Sequence, residues 1–144
     1  MSGDVVPFYF GDAGRELYGA FHPSRGHPTG AVLVVPPVGH EYVRLHRAMR
    51  QVATQCHEAG FAALRFDLTG CGDSTGNLDV ATLQGWVDDG RRALAELRVR
   101  SGLTETFVVG IRLGAVIGAR AAAAEGGVSG VVLWDPVVDG REFW

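Results

Sequence analysis

The stretch Phe107-Val108-Val109-Gly110-Ile111-Arg112-Leu113-Gly114-Ala115 constrains the fold more than any other part of the chain. Its apolar, β-branched opening suits a buried strand, and the alanine-rich run from Leu113 to Ala124 suits a helix. Glycines at 110 and 114 flank the junction, so the strand passes into the helix through a tight corner. Arg112 stands at the point of that corner. A guanidinium is always protonated and cannot attack a carbonyl, so this residue is no nucleophile.

The rest of the chain alternates elements around that corner. Val5 to Phe10 and Glu16 to Phe21 flank Gly11-Asp12-Ala13-Gly14-Arg15 and read as a hairpin. His22 to Gly30 is a loop. Ala31 to Val35 is apolar throughout and stops at Pro36-Pro37, as a strand buried on both faces would. After the loop Val38-Gly39-His40-Glu41, apolar residues from Leu45 to Cys56 recur at helical spacing until Gly60. Phe61 to Phe66 is the next strand, and Asp67 to Gly76 is dense in turn formers. A helix with Leu83, Trp86, Val87, Leu94 and Leu97 on one face follows. Then come Thr106 to Val109 as a strand, the Leu113 helix, and Val131 to Trp134 as a strand closed by Asp135-Pro136. An opening hairpin and repeated β-α units predict a three-layer α/β fold: a mostly parallel sheet with helices on both faces and an N-terminal antiparallel hairpin.

Bulk properties exclude several functions. The chain has 144 residues, enough for one domain, and 47% of them are hydrophobic. Thirteen basic against 16 acidic residues give a charge of −3 with no dense Lys/Arg run, so no nucleic-acid partner is expected. Arg44, Arg47 and Arg50 read as a solvated helix face. Cys56 and Cys71 show neither disulfide-scaffold nor metal spacing, and no metal or cofactor is expected. Met1-Ser2-Gly3-Asp4 does not open a signal peptide, and no apolar run approaches about 18 residues. A cytoplasmic protein without a membrane span is the expectation.

Three further motifs fall in order with the corner: the hairpin, Val35-Pro36-Pro37-Val38-Gly39-His40, and Arg65-Phe66-Asp67-Leu68-Thr69-Gly70-Cys71-Gly72-Asp73-Ser74. Together they resemble the N-terminal half of an α/β-hydrolase, with its oxyanion loop, its D-x-x-G-x-G-x-S loop and its nucleophile elbow. The G-x-R-x-G form of the elbow, followed by Leu133-Trp134-Asp135-Pro136, is similar to hydrolase-like proteins found with exosortase systems, and more loosely to serine aminopeptidase-like hydrolases. The resemblance implies one partial domain over residues 1–144, without the usual C-terminal strands and lid.

In that family the catalytic order is Ser, acid, His. Here Arg112 holds the serine position, and His22, His27, His40, His46 and His57 all precede it, so no confident catalytic residue emerges. Asp135 is a weak acid candidate whose plainer role is a strand-ending turn. Ser74 reads as a capped turn rather than a nucleophile. Backbone N–H groups of Leu113 and of Val38 or Gly39 still suit an oxyanion, with His40 as a wall residue. Val38, Gly39, His40, Arg112 and Leu113 are therefore the candidate binding set, for a small anion if Arg112 faces the pocket. Alternatively Arg112 folds back onto Asp67, Glu41 or Asp135 as an ion pair. Trp86, Trp134 and Trp144 read as core or interface aromatics. Val131 to Trp134 would be an unpaired apolar edge, which invites a homo-oligomer or a second chain. Three functions follow: a non-hydrolytic binder or scaffold, a hydrolase part completed by another chain, or a hydrolase fragment.

Overall fold

The computed structural model describes residues 4–143. Met1 to Gly3 and Trp144 lie outside the described residues, and with them the readings of the extreme N-terminus and of Trp144.

The hairpin pairs β1 (Val6–Phe10) with β2 (Leu17–His22), setting Phe10 opposite Leu17. Strand β2 starts after Glu16, whose carbonyl is turned toward the loop of residues 67–76. There it accepts from the Thr75 N–H at 3.0 Å and the Thr75 hydroxyl at 2.7 Å. Strand β3 (Gly30–Val35) is buried at every residue, as its unbroken apolar sequence requires. Gly39, at φ 66° and ψ −139°, turns the chain so sharply that α1 (His40–Glu58) begins at His40, inside the stretch expected to be loop.

Strand β4 (Phe61–Phe66) leads through the Asp67–Gly76 loop to a 3₁₀ turn at Leu78–Val80. Helix α2 (Leu83–Ser101) is opened by the Thr82 hydroxyl, which accepts from the Gly85 N–H, and closed by Gly102 in the left-handed region. Strand β5 (Thr106–Ile111), α3 (Leu113–Glu125), β6 (Val128–Trp134) and a short α4 (Gly140–Phe143) complete the described chain. Strand β6 begins three residues earlier than its apolar core suggests, because a register shift between Thr106 and Phe107 lets Val128 pair with Thr106.

The six strands run in the order β1-β2-β4-β3-β5-β6. Strands β3 to β6 are parallel, and β2 joins β4 antiparallel. One face carries Leu33, Leu64 and Val108 against Leu94 and Leu97 of α2 and Ile117 of α3. The other carries Val32, Val34 and Ile111 against Met49 of α1. Full burial of each Leu or Ile in these layers contributes about 1.5–3 kcal/mol. Three layers with helices on both faces result, and the corner after β5 stands at the C-terminal end of the parallel strands.

Candidate functional site

A single residue, Arg112, separates the last residue of β5 from the first of α3, at φ 56° and ψ −120°. Two glycines make this possible by their lack of a side chain. A Cβ on Gly110 would lie 2.4 Å from the Gly114 oxygen and 2.5 Å from the Ala115 Cα. A Cβ on Gly114 would lie 2.3 Å from the Pro36 oxygen, so α3 presses directly on the end of β3. The Arg112 N–H donates to the Trp134 carbonyl at 3.0 Å, which fastens the corner to β6.

The Arg112 side chain folds back. Its Nε donates to Glu41 Oε2 at 2.9 Å, and its Nη1 donates to the Asp135 carbonyl at 2.9 Å and lies 3.4 Å from Asp135 Oδ2. The hydrogen bond donated to Glu41 raises the guanidinium's pKa further above its usual value. Of the three carboxylates within the expectation, Glu41 and Asp135 are the partners and Asp67 is not. Asp67 is occupied elsewhere: Oδ1 accepts from the Tyr42 hydroxyl at 2.6 Å and Oδ2 from the Asp73 N–H at 3.0 Å. Burial, reinforced by that bond, pushes the Tyr42 hydroxyl's pKa up. Arg112 and Asp135 (φ 48°) are the positive-φ residues other than glycine among those described, so both strained positions lie in this clamp.

Beside the corner is a cavity of about 720 Å³. Its apolar wall comes from Val38, Leu78, Ala81, Leu83, Trp86 and Leu113, and the rest of the lining from Gly39, His40 and Glu41. The structure therefore brings Val38, Gly39, His40 and Leu113 together around one cavity. Arg112 is absent from the lining; its partner Glu41 is there instead. Asp135 is exposed, held at the surface side of the clamp. The 3₁₀ turn and the start of α2 form a wall that sequence reasoning missed, because Leu78, Ala81 and Leu83 carry no chemical signal. Trp86 was legible only as a packing aromatic; its Nε1 donates to the Thr69 carbonyl at 3.0 Å, which fixes the indole.

Ser74 caps its loop: the hydroxyl donates to the Asp67 carbonyl at 2.5 Å and accepts from the Tyr18 N–H at 2.8 Å. His22 and His57 are buried away from the corner. His22 accepts from Arg65 Nε at 3.1 Å, and His57 Nδ1 bonds the Pro23 carbonyl. His27, His40 and His46 are exposed, as are Arg44, Arg47 and Arg50. Burial raises the pKa of the Cys71 thiol to about 11, and both cysteines are free. Among the described residues, no cluster of three or more His, Cys, Asp or Glu is placed to hold a metal ion. No helix among them is long and apolar enough to cross a membrane.

A strand that enters a one-residue turn between glycines and leaves as a helix, at the C-terminal end of a mostly parallel sheet, defines an α/β-hydrolase fold. Residues 26–143 match the profile of the serine aminopeptidase S33 family, and the chain belongs to that family. Solved structures carry the same fold. A protein of unknown function from Agrobacterium tumefaciens, assigned to the α/β hydrolases, superposes with a TM-score of 0.77 at 22% identity, over 91% of this chain and 60% of that one. An α/β hydrolase from Penicillium gives 0.78 at 19%, over 94% and 47%. A thermostable carboxyl esterase from Bacillus coagulans gives 0.72 at 19%, over 90% and 43%. This chain thus spans 43% to 60% of the length of these three relatives. No curated protein matches it significantly.

Proposed function

We propose that this chain is a non-hydrolytic member of its family that binds a neutral, largely apolar small molecule in the cavity beside the corner. The observation that carries the reading is the clamp: the position where the fold carries a nucleophile holds a guanidinium tied to Glu41 and Asp135. An arginine supplies no nucleophilic lone pair. Bound to two carboxylate residues, it also offers no free charge to an anion, and it does not line the cavity. What faces a ligand is a wall of six apolar residues with Gly39, His40 and the Arg112-paired Glu41 at one part of it. A concave, mostly apolar cavity of this size suits a small organic ligand. The kinship with exosortase-associated hydrolase-like proteins rests on the G-x-R-x-G elbow and belongs to the same proposal.

A second reading is a serine-hydrolase unit, completed by another polypeptide or belonging to a larger hydrolase. It is supported by the share of the hydrolase relatives that the chain spans. One experiment separates the two. The purified protein is titrated with the neutral fluorophore N-phenyl-1-naphthylamine and assayed against a panel of p-nitrophenyl esters. Saturable binding that weakens about tenfold in Ala81→Phe, with no ester turnover, is expected. Turnover, or binding indifferent to Ala81→Phe, would refute the proposal.

A further inference from the structure

One buried carboxyl group takes no part in the corner, the clamp or the cavity lining. Asp89 of α2 is 0% exposed, enclosed by its own helix, the loop after β4 and the hairpin turn. Its Oδ2 accepts from the Thr69 N–H at 2.8 Å. Its Oδ1 has no hydrogen-bond partner among the described residues, and Arg92 Nη1, itself buried and without one, is 3.9 Å away. Arg92 Nη2 turns instead toward Asp12 of the hairpin at 3.4 Å, so the guanidinium compensates Asp89 only in part. Burial accordingly raises the carboxyl's pKa, against the Thr69 hydrogen bond and the charges of Arg92 and Arg15. A carboxylate so placed costs folding stability that an apolar residue of similar size would not.

Thr69 is gripped at both of its main-chain polar groups: the N–H by Asp89, and the carbonyl by Trp86 Nε1 at 3.0 Å. Trp86 and Asp89 stand three residues apart on one side of α2, so a single helical turn clasps a single residue. The next residue, Gly70, backs directly onto the 3₁₀ turn. A Cβ on it would lie 2.7 Å from the Leu78 nitrogen and 2.8 Å from the Asn77 carbonyl carbon. Trp86 and Leu78 both belong to the cavity wall. The Thr69-Gly70 segment therefore stands behind two parts of that wall, and Asp89, which is outside the lining, holds the segment in place. We propose that Asp89 is the positioning residue of the cavity: without reaching a ligand, it fixes Trp86 and Leu78 through Thr69 and so sets how tightly the cavity binds. The consequence for affinity rests on the ligand reading above; the placement of Trp86 does not.

The indole N–H of Trp86 reports its bond to Thr69 directly, and its NMR resonance is assigned by its loss in Trp86→Phe. Asp89→Ala is expected to move that resonance upfield, toward free indole, and to weaken binding of N-phenyl-1-naphthylamine about tenfold. Ala93→Gly, at a buried position one turn further along α2, loosens the helix without reaching Thr69 and is expected to leave both readouts unchanged. Should Asp89→Ala lose its fold, Trp86→Phe carries the test. Freeing the Thr69 carbonyl is then expected to speed exchange of the Thr69 amide about tenfold. An indole resonance unmoved in Asp89→Ala, or moved as far by Ala93→Gly, would overturn the proposal. So would undiminished probe affinity in Asp89→Ala, or unchanged Thr69 exchange in Trp86→Phe. A wild type that binds no probe refutes the ligand reading instead, and the indole shift and Thr69 exchange still decide whether Asp89 places Trp86.

Discussion

Acidification is expected to destabilise this protein through one buried histidine. His22, 3% exposed at the end of β2, uses Nε2 to accept from Arg65 Nε at 3.1 Å, which requires the neutral ring. Burial chiefly, then the charges of Arg65, His57 and Arg50, lowers its pKa from the ordinary 6.5 to about 4. No carboxylate contributes to offset them. The sign follows from proton counting: between about pH 6.5 and about pH 4 the unfolded chain binds a proton that the folded chain does not. Stability is therefore fully present above 6.5 and is lost as pH falls toward 4. At about 1.4 kcal/mol per pK unit, the gap of 6.5 − 4 = 2.5 units sets an upper limit of about 3.5 kcal/mol. The variant His22→Gln keeps an acceptor for Arg65 and cannot titrate. Urea unfolding at about pH 7.5 and about pH 4.5 should show wild type losing about 2–3 kcal/mol more than His22→Gln. Equal losses in the two proteins, or a His22 ring that titrates near 6.5 by NMR, would refute the reasoning.

The glycines along α3 should rank by what a methyl group meets. Gly114→Ala, facing fixed backbone oxygens of Val35 and Pro36, is expected to cost about 3 kcal/mol or more. Gly118→Ala meets the Val108 Cγ1 at 2.9 Å, a side chain able to yield, and should cost about 1 kcal/mol; urea midpoints for both variants check the order. Tyr42→Phe removes the donor to the Asp67 carboxylate, and a loss of about 1.5–3 kcal/mol in the same assay is expected. Glu41→Ala should release Arg112: sulfate would then raise the melting temperature of the variant beyond the effect of sodium chloride at equal ionic strength, and would not do so in wild type. An equal sulfate effect in both proteins would mean that the clamp does not occupy Arg112.

The corner was legible in sequence because its requirements are local. A β-branched run, two glycines four residues apart and an alanine-rich continuation each have one mechanical purpose, and the clashes that a Cβ would cause at Gly110 and Gly114 state that purpose in distances. The doubly buried β3 was legible for the same reason. The partners of Arg112 were narrowed to three carboxylates and no further, since the choice depends on Tyr42 and the Asp73 N–H having taken Asp67. The cavity wall at Leu78, Ala81 and Leu83 was not legible at all. Ordinary apolar residues in a turn and a first helical turn become a wall only once the 3₁₀ segment sets them opposite Val38 and Leu113. The early start of β6 depended on a register shift that no periodicity encodes.

The central claim is that this hydrolase-fold corner, with a clamped arginine at its point, carries out no acyl transfer. The most direct measurement is intact-protein mass after incubation of wild type with an excess of a fluorophosphonate, which phosphonylates an activated serine. The account predicts an unchanged mass. A stoichiometric adduct, on Ser74 or any other serine, would contradict it.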